Sequence, residues 1–245
     1  MDNTLLINLS QQVAAMQTMD VIANNLANMS TPGFKRDEMQ FSEYLAQARP
    51  AEGEGDQHTL SFVEEAGVAR DLTGGPIQVT NAPFDFAVEG KGYFVVQTPE
   101  GERYTRNGHF TLDPQGRLVT DGGYSVQGEG GDITVTQTDG DVHVAHDGTI
   151  SGLNGQIGKL KLAAFDDERA LLREGSSLYS SQRPPLPTTP VKIEQGAIEG
   201  SNVAPVVEIS KMIEVMRSYQ ATMALSQSQE DLKRGAVDKL AQFQS

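Results

Sequence analysis

The chain reads as a mixed α and β protein: long N- and C-terminal helices pairing as a coiled coil, with an inserted antiparallel all-β domain. Three observations predict this. Apolar residues near both ends recur at alternating spacings of four and three, the mark of a helical seam. Between them the pattern changes to alternation with a period of two, broken by Pro- and Gly-containing turns. Finally, only 6% of the 245 residues are aromatic and none is Trp, which suits a modest domain plus extended elements better than one large core.

The first helix is expected from about Thr4 to Asn28. Leu5, Leu9, Gln12, Met16, Met19, Ala23 and Leu26 form its seam, narrower than the apolar stripe of a globular surface helix. At ~1.5 Å per residue it is roughly 37 Å long. Ser30-Thr31-Pro32-Gly33 ends it, because Pro32 disfavours helix at Thr31 and Gly33 permits a turn. Residues 1–36 thus form one segment. Residues 37–69 read as a flexible or loosely packed connector, in which Phe41, Tyr44 and Leu45 can anchor another helical turn and Arg49 to Gln57 is rich in Ala, Gly and acid.

The β-domain is placed at 70–182, within a β-like pattern from about Leu60 to Tyr179. Phe84, Phe86 and Val88 alternate with polar or small residues, as do Phe110 and Leu112, Ile133 and Val135, Val142 and Val144, and Leu160 and Leu162. Pro99-Glu100-Gly101 and Pro114-Gln115-Gly116 are turns with Pro second and Gly fourth. Asp121-Gly122, Asp139-Gly140 and Asp147-Gly148 offer the positive-φ residues of tight hairpins. The spacing suggests a compact antiparallel sandwich or barrel. Four prolines between Gln182 and Pro190 make 183–200 a Pro-rich linker and return segment. The last segment, 201–245, holds a helix from Pro205 to Phe243, with Asn202 or Ala204 near its cap. Its seam runs through Ile209, Met212, Met216, Tyr219 and Met223. Two long helices with narrow seams and many methionines need further partners, which points to self-assembly through the ends. The alternative is a monomer whose helices lie on its own β-domain.

Bulk properties exclude several classes. A net charge of −14, with a pI near 4.6 and no basic cluster, argues against nucleic acid and anionic membranes as partners. Zero cysteines exclude disulfides and thiolate metal sites. No segment approaches the roughly 18–20 apolar residues of a membrane span, so no membrane insertion is expected. The start, Met1-Asp2-Asn3 with Lys35 as the first basic residue, lacks the features of a cleaved secretory signal. Catalytic constellations are weak. His143 and His146 would point to opposite faces of a strand, His58 and His109 have no motif partners, and no nucleophile elbow, P-loop or calcium loop occurs. No catalytic residue, metal site or cofactor is expected, and the chain is not read as an enzyme.

Three linked motifs carry a resemblance. Ala23-Asn24-Asn25-Leu26-Ala27-Asn28 followed by Ser30-Thr31-Pro32-Gly33-Phe34-Lys35-Arg36 resembles the N-terminal signature of flagellar rod and hook proteins. Gly200-Ser201-Asn202-Val203, with Met212-Ile213-Glu214 and Arg217-Ser218-Tyr219, is similar to their C-terminal signature. Gly90-Lys91-Gly92-Tyr93-Phe94-Val95-Val96, Tyr104-Thr105-Arg106-Asn107-Gly108-His109-Phe110 and Gly116-Arg117-Leu118-Val119-Thr120 resemble their shared β-domain. Pro32 and His109 depart from the commoner residues at those positions.

The resemblance implies a structural subunit of the flagellar basal-body rod. Its helices would form an axial coiled-coil core around an export channel, with the β-domain outside. It would leave through the flagellar type III export apparatus without a cleaved signal, polymerise in the periplasm with other rod subunits and itself, transmit torque and serve motility. Chain length leaves two mid-length rod members, and Glu230-Asp231-Leu232-Lys233-Arg234 through Asp238-Lys239-Leu240 resembles the proximal one; the distal rod protein is the alternative. A secreted β-domain binding module, for a polymer such as peptidoglycan, is the reading from another class, disfavoured by the few aromatics.

The assembly or interface residues expected on this basis are Leu5, Leu9, Met16, Met19, Asn24, Asn25, Leu26, Asn28, Gly33, Phe34, Asn202, Met212, Ile213, Met216, Arg217 and Tyr219. Asn24, Asn25 and Asn28 read either as a fraying helix end or as amides that fix register; the resemblance favours register. Gly33 is explained as a helix stop, and Phe34 is an anchor if it packs on a neighbour. Arg217 and Tyr219 read as a solvated cation and a seam residue, or as interfacial groups.

Overall fold

The computed structural model describes residues 2–47, 59–175, 177–186 and 191–242, with backbone alone at 2–5, 42–47, 59–66, 236–238 and 240–242. The chain forms two compact units. One comprises Met1–Leu26, Asp37–Ala69 and Ala204–Ser245; the other comprises Ala27–Arg36 and Arg70–Val203.

The first unit holds helix α1, Asp2–Ala27, and helix α2, Pro205–Gln242. Both helices match the expected spans, and α2 begins at the proline itself, where a missing N–H costs nothing. At ~1.5 Å per residue they extend about 39 and 57 Å. Each carries two heptad stripes, where one seam was expected. On α1, Asn8, Gln12, Ala15, Met19, Ile22 and Leu26 are shielded from solvent, while Leu6, Leu9, Val13 and Met16 are exposed. On α2, Glu208, Met212, Val215, Tyr219, Thr222, Ser226, Gln229 and Lys233 are shielded, while Val206, Ile209, Ile213, Met216 and Met223 are exposed. The seam drawn from sequence steps between the stripes: Leu9 and Met16 belong to the exposed one, Met19 and Leu26 to the shielded one. The side chain of Leu5 lies outside the described residues. A groove of about 350 Å³ is lined by Ala14 and Thr18 of α1, Val215 and Ser218 of α2, and Phe41, among others.

The connector expected at 37–69 is corrected. Its described parts are long strands, β1 (Asp37–Gln47) and β2 (Thr59–Arg70), which pair as a two-stranded sheet. Phe41, Tyr44 and Leu45 lie in β1, not in a helical turn. Their spacing of three and four imitates a helix, but Met39 and Phe41, and Leu60 and Phe62, are two apart, and strand pairing decides. Arg49 to Gln57 lies outside the described residues.

The second unit is all antiparallel β. Its strands are β3 (Ile77–Val79), β4 (Phe86–Glu89), β5 (Tyr93–Thr98), β6 (Gly101–Thr105), β7 (Phe110–Leu112), β8 (Leu118–Thr120), β9 (Ser125–Gly128) and β10 (Gly131–Asp132). There follow β11 (His143–Val144), β12 (Thr149–Gly152), β13 (Gly155–Lys159), β14 (Leu162–Ala163), β15 (Leu172–Glu174), β16 (Leu178–Ser180), β17 (Lys192–Gln195) and β18 (Ala197–Glu199). The main sheet runs β15-β16-β6-β5-β9-β8-β7, with β10 added to β9 and β14 to β5. Strands β11, β12 and β13 form a second sheet, β17 pairs with β4, and β18 pairs with β3.

One apolar cluster gathers Phe86, Val88, Phe94, Val96, Phe110, Leu118, Val126, Ile133, Ile150, Leu160 and Ile193, among others. A second packs Tyr93, Val95, Tyr104, Phe165, Leu171 and Tyr179, with Tyr93 edge-on to Phe165 and Tyr179. The two clusters take alternate residues of β5, so this strand is covered on both faces. Strand β4 is likewise buried at Phe86, Ala87 and Val88, so the expected alternation there is not expressed, and Leu112 is exposed. At Asp121-Gly122 the positive φ falls one residue later, on Gly123 at +77°.

The return segment is also corrected. Strands β17 and β18 are integral to the β unit, with Ile193 and Ala197 buried. The prolines draw attention away from the two-residue spacing of Val191 and Ile193. Residues 187–190 lie outside the described residues.

Candidate assembly site

The signature residues do not form one site; they divide between the two units. In the first unit, Asn25 is 1% exposed near the end of α1. Its Oδ1 accepts from the Asp37 N–H at 2.9 Å and its Nδ2 donates to the Asp37 carbonyl at 2.8 Å. The amide thus mimics a strand residue against the first residue of β1. The same Nδ2 donates to Glu208 Oε2 at 3.2 Å. Glu208 is buried in the first turn of α2, where the helix dipole favours a carboxylate, and its N–H donates to the Ala204 carbonyl at 3.1 Å. One side chain therefore ties α1, β1 and α2 together. Asn24 is exposed.

In the second unit, Asn28 belongs to a turn. Its carbonyl accepts from the Thr31 N–H at 3.1 Å and its Oδ1 from the Thr31 hydroxyl at 3.2 Å. The following residues lie against the C-terminal signature. The Gly33 N–H donates to the Glu199 carbonyl at 2.7 Å, the Asn202 N–H to the Phe34 carbonyl at 3.3 Å, and the Arg36 N–H to Asn202 Oδ1 at 2.7 Å. Asn202 Nδ2 donates to the carbonyls of Asp71 and Thr73. Phe34 is 0% exposed, with the Arg173 guanidinium 4.3 Å above its ring. Lys35 is buried and donates to Glu199 Oε1 at 2.5 Å and to the Thr73 carbonyl at 2.7 Å. Asp71 is held below the usual carboxylate range, first by the Thr73 hydroxyl and backbone N–H, and then, against some desolvation, by the charges of Arg36 and Lys35.

Gly33 has φ +69°, and a Cβ there would lie 2.4 Å from the Arg106 carbonyl carbon. Its glycine is needed for a close backbone approach as well as for a helix stop. Sequence reasoning missed Glu199, Arg106 and Glu208. Arg106 lay inside a quoted motif, but nothing local marks a partner 93 residues away.

Arg217 is exposed on α2, and Tyr219 and Met212 lie on its shielded stripe. Ile213 and Met216 face solvent at 46% and 44% exposure. Among the described residues no cluster of three or more His, Asp or Glu could hold a metal, and no helix is long and apolar enough to cross a membrane.

The three signatures coincide with three family models. Residues 7–35 match the flagella basal body rod protein, 87–152 the flagellar hook protein FlgE/F/G D1 domain, and 194–237 the flagellar basal body rod FlgEFG protein C-terminal. The flagellar basal-body rod protein FlgF of Caulobacter vibrioides is 39% identical, with 99% of this chain and 100% of that protein covered. The chain belongs to the flagellar basal-body rod family. FlgF of Escherichia coli is 34% identical over 89% of this chain and 91% of its own, and FlgG of Buchnera aphidicola (Acyrthosiphon pisum) is 33% identical over 82% and 86%. As a rod-family member the chain is a structural protein of the flagellar basal body, and its partners are other rod or hook subunits.

Proposed function

We propose that the chain is a subunit of the proximal rod, polymerising through its terminal helices into the periplasmic drive shaft that transmits torque and surrounds the export channel. The observation that carries this reading is the second stripe on each helix. Leu6, Leu9, Val13 and Met16 on α1, and Val206, Ile209, Ile213, Met216 and Met223 on α2, stand at heptad spacing and open to solvent. Of the apolar side chains on these two helices, Ile22 is buried, and both large apolar clusters belong to the other unit. Apolar stripes of this length in water seek a partner, and heptad spacing selects helices. In this reading α1 and α2 pair along their shielded stripes and the exposed stripes meet neighbouring subunits. Subunits reach the periplasm through the flagellar type III export apparatus without a cleaved signal.

Asn25, Phe34 and Gly33 have a positioning part in this scheme. They are buried within the chain and organise the ends, while Ile213, Met216, Leu9 and Met16 supply the contact surface. A distal-rod position is the second reading, supported by the relatives named FlgG. The test is Ile213→Glu with Met216→Glu in a strain lacking the chromosomal copy. Both side chains are about half exposed, so the purified variant keeps its helix content, while cells fail to swim and build no hook. Normal swimming would remove the helical seams from the account.

A further inference from the structure

A single carboxylate gathers three other parts of the β unit. Glu199 is 4% exposed. Its Oε1 accepts from Lys35 Nζ at 2.5 Å and the Gly75 N–H at 3.0 Å, its Oε2 from Arg106 Nη1 at 3.4 Å, and its backbone carbonyl from the Gly33 N–H at 2.7 Å. The side chains of Lys35 and Arg106 are only 3% and 8% exposed. Arg106 also donates to the carbonyls of Val88 and Gly90 and lies over the Tyr93 ring at 5.0 Å. Its Nε has no partner among the described residues. Neutral carbonyls cannot offset two buried cations; Glu199 supplies the opposing charge.

The segment bearing Glu199 is equally needed by the apolar core. Ile193, 0% exposed, belongs to the main cluster, and β17 and β18 are the pairing partners of β4 and β3. The N-terminal signature contributes Phe34 and Lys35 to the same unit, and Lys35 and Glu199 are 164 residues apart. Pairings this distant along the chain form late, because loop closure precedes any gain.

We infer that the β unit folds only when residues 191–203 join it, so that the chain stays unfolded until nearly all of it is available. A chain ending earlier leaves the core open beside Ile193 and two cations without their carboxylate. The delay rests on the fold alone. Its use, keeping the polypeptide threadable for passage through a narrow export channel, rests on the rod reading above.

Native-state hydrogen exchange on the purified full-length chain tests the delay independently of any flagellum. The return-segment amides of Ile193, Gly196 and Gly200 donate to the carbonyls of His146, Asp85 and Pro76; the core amides of Val95 and Leu118 donate to those of Lys161 and Ile133. The expected result is equal protection of both sets, reduced together in Glu199→Gln by on the order of 100- to 1,000-fold. Should that variant fail to fold, the milder Ile193→Val is expected to lower both sets together by roughly 2- to 10-fold. Exchange of the return-segment amides more than tenfold faster than the core in the native chain overturns the inference. Loss of protection confined to the return segment in either variant does the same.

Discussion

Replacing Gly33 by Ala perturbs one backbone position whose surroundings fix the size of the effect. The residue has φ +69°, which costs a non-glycine residue about 1–2 kcal/mol. The added Cβ would sit 2.4 Å from the Arg106 carbonyl carbon, 2.6 Å from its oxygen and 2.6 Å from the Asn107 nitrogen. These are backbone atoms of the β unit and cannot swing aside. Relief requires the 33–36 segment to retreat, at roughly 1–3 kcal/mol for overpacking. The retreat weakens the Gly33 hydrogen bond to Glu199, about 1 kcal/mol more. The total is about 3–6 kcal/mol. With a urea m-value of about 2 kcal/mol/M, the unfolding midpoint falls by roughly 1.5–3 M. The assay is urea unfolding followed by tyrosine near-UV circular dichroism. Two controls separate strain from collision. Gly90 has φ +102°, and a Cβ added there would meet nothing within 4 Å, so Gly90→Ala carries backbone strain alone. Gly130 has open space and ordinary φ, so Gly130→Ala is close to neutral. A Gly33→Ala midpoint no lower than that of Gly90→Ala refutes the reasoning.

Other outcomes follow from the same geometry. Asn25→Leu removes two hydrogen bonds to the Asp37 backbone and one to the buried Glu208, so it destabilises the first unit by about 2–4 kcal/mol. Circular dichroism checks that the helices persist, and swimming assays check that assembly is impaired. Lys35→Met removes the ion pair to Glu199 and the bond to the Thr73 carbonyl, leaves Glu199 paired with Arg106 and the Gly75 N–H, and costs about 1.5–3 kcal/mol, read by denaturant unfolding. Acid weakens the fold, because Asp71, Asp132, Asp139, Asp147 and Glu174 are all held below their ordinary values by hydrogen bonds from neighbours, led by Thr73, Gln127, Thr136, Thr149 and Ser180. Their contribution is fully present above the unfolded carboxylate pKa of about 4 and is lost as pH falls through the lower folded values. Thermal melts therefore hold steady from about pH 7 to 5 and fall below about pH 4.

Much of this architecture was legible in the residues. The heptad spacing located both helices, and Pro205 marked the start of α2. Alternation and turn chemistry located the β unit from Phe84 to Tyr179. What escaped was set by pairing over long range. Strands β1 and β2 were obscured because Phe41, Tyr44 and Leu45 carry helix-like spacing. Strands β17 and β18 stood beside a proline-rich stretch that reads as linker. The exposed and shielded stripes of α1 and α2 could not be separated, because period alone does not say which face has a partner within the chain. Of the candidate residues, Asn25 and Asn202 are held by hydrogen bonds with Glu208, Asp37 and the 34–36 backbone. Only the fold reveals those contacts. The three asparagines of the N-terminal signature illustrate the limit: one is a buried connector, one is exposed, and one closes a turn, although all three read alike in sequence.

As a rod subunit, this chain is a built-in component of the flagellar basal body. Mass spectrometry of hook–basal bodies purified from the source bacterium tests it most directly, alongside swimming of an in-frame deletion. The expected result is the protein in the rod fraction and immotile, hookless cells on its loss. Its absence from that fraction, with a deletion that swims normally, would rule out a place in the rod.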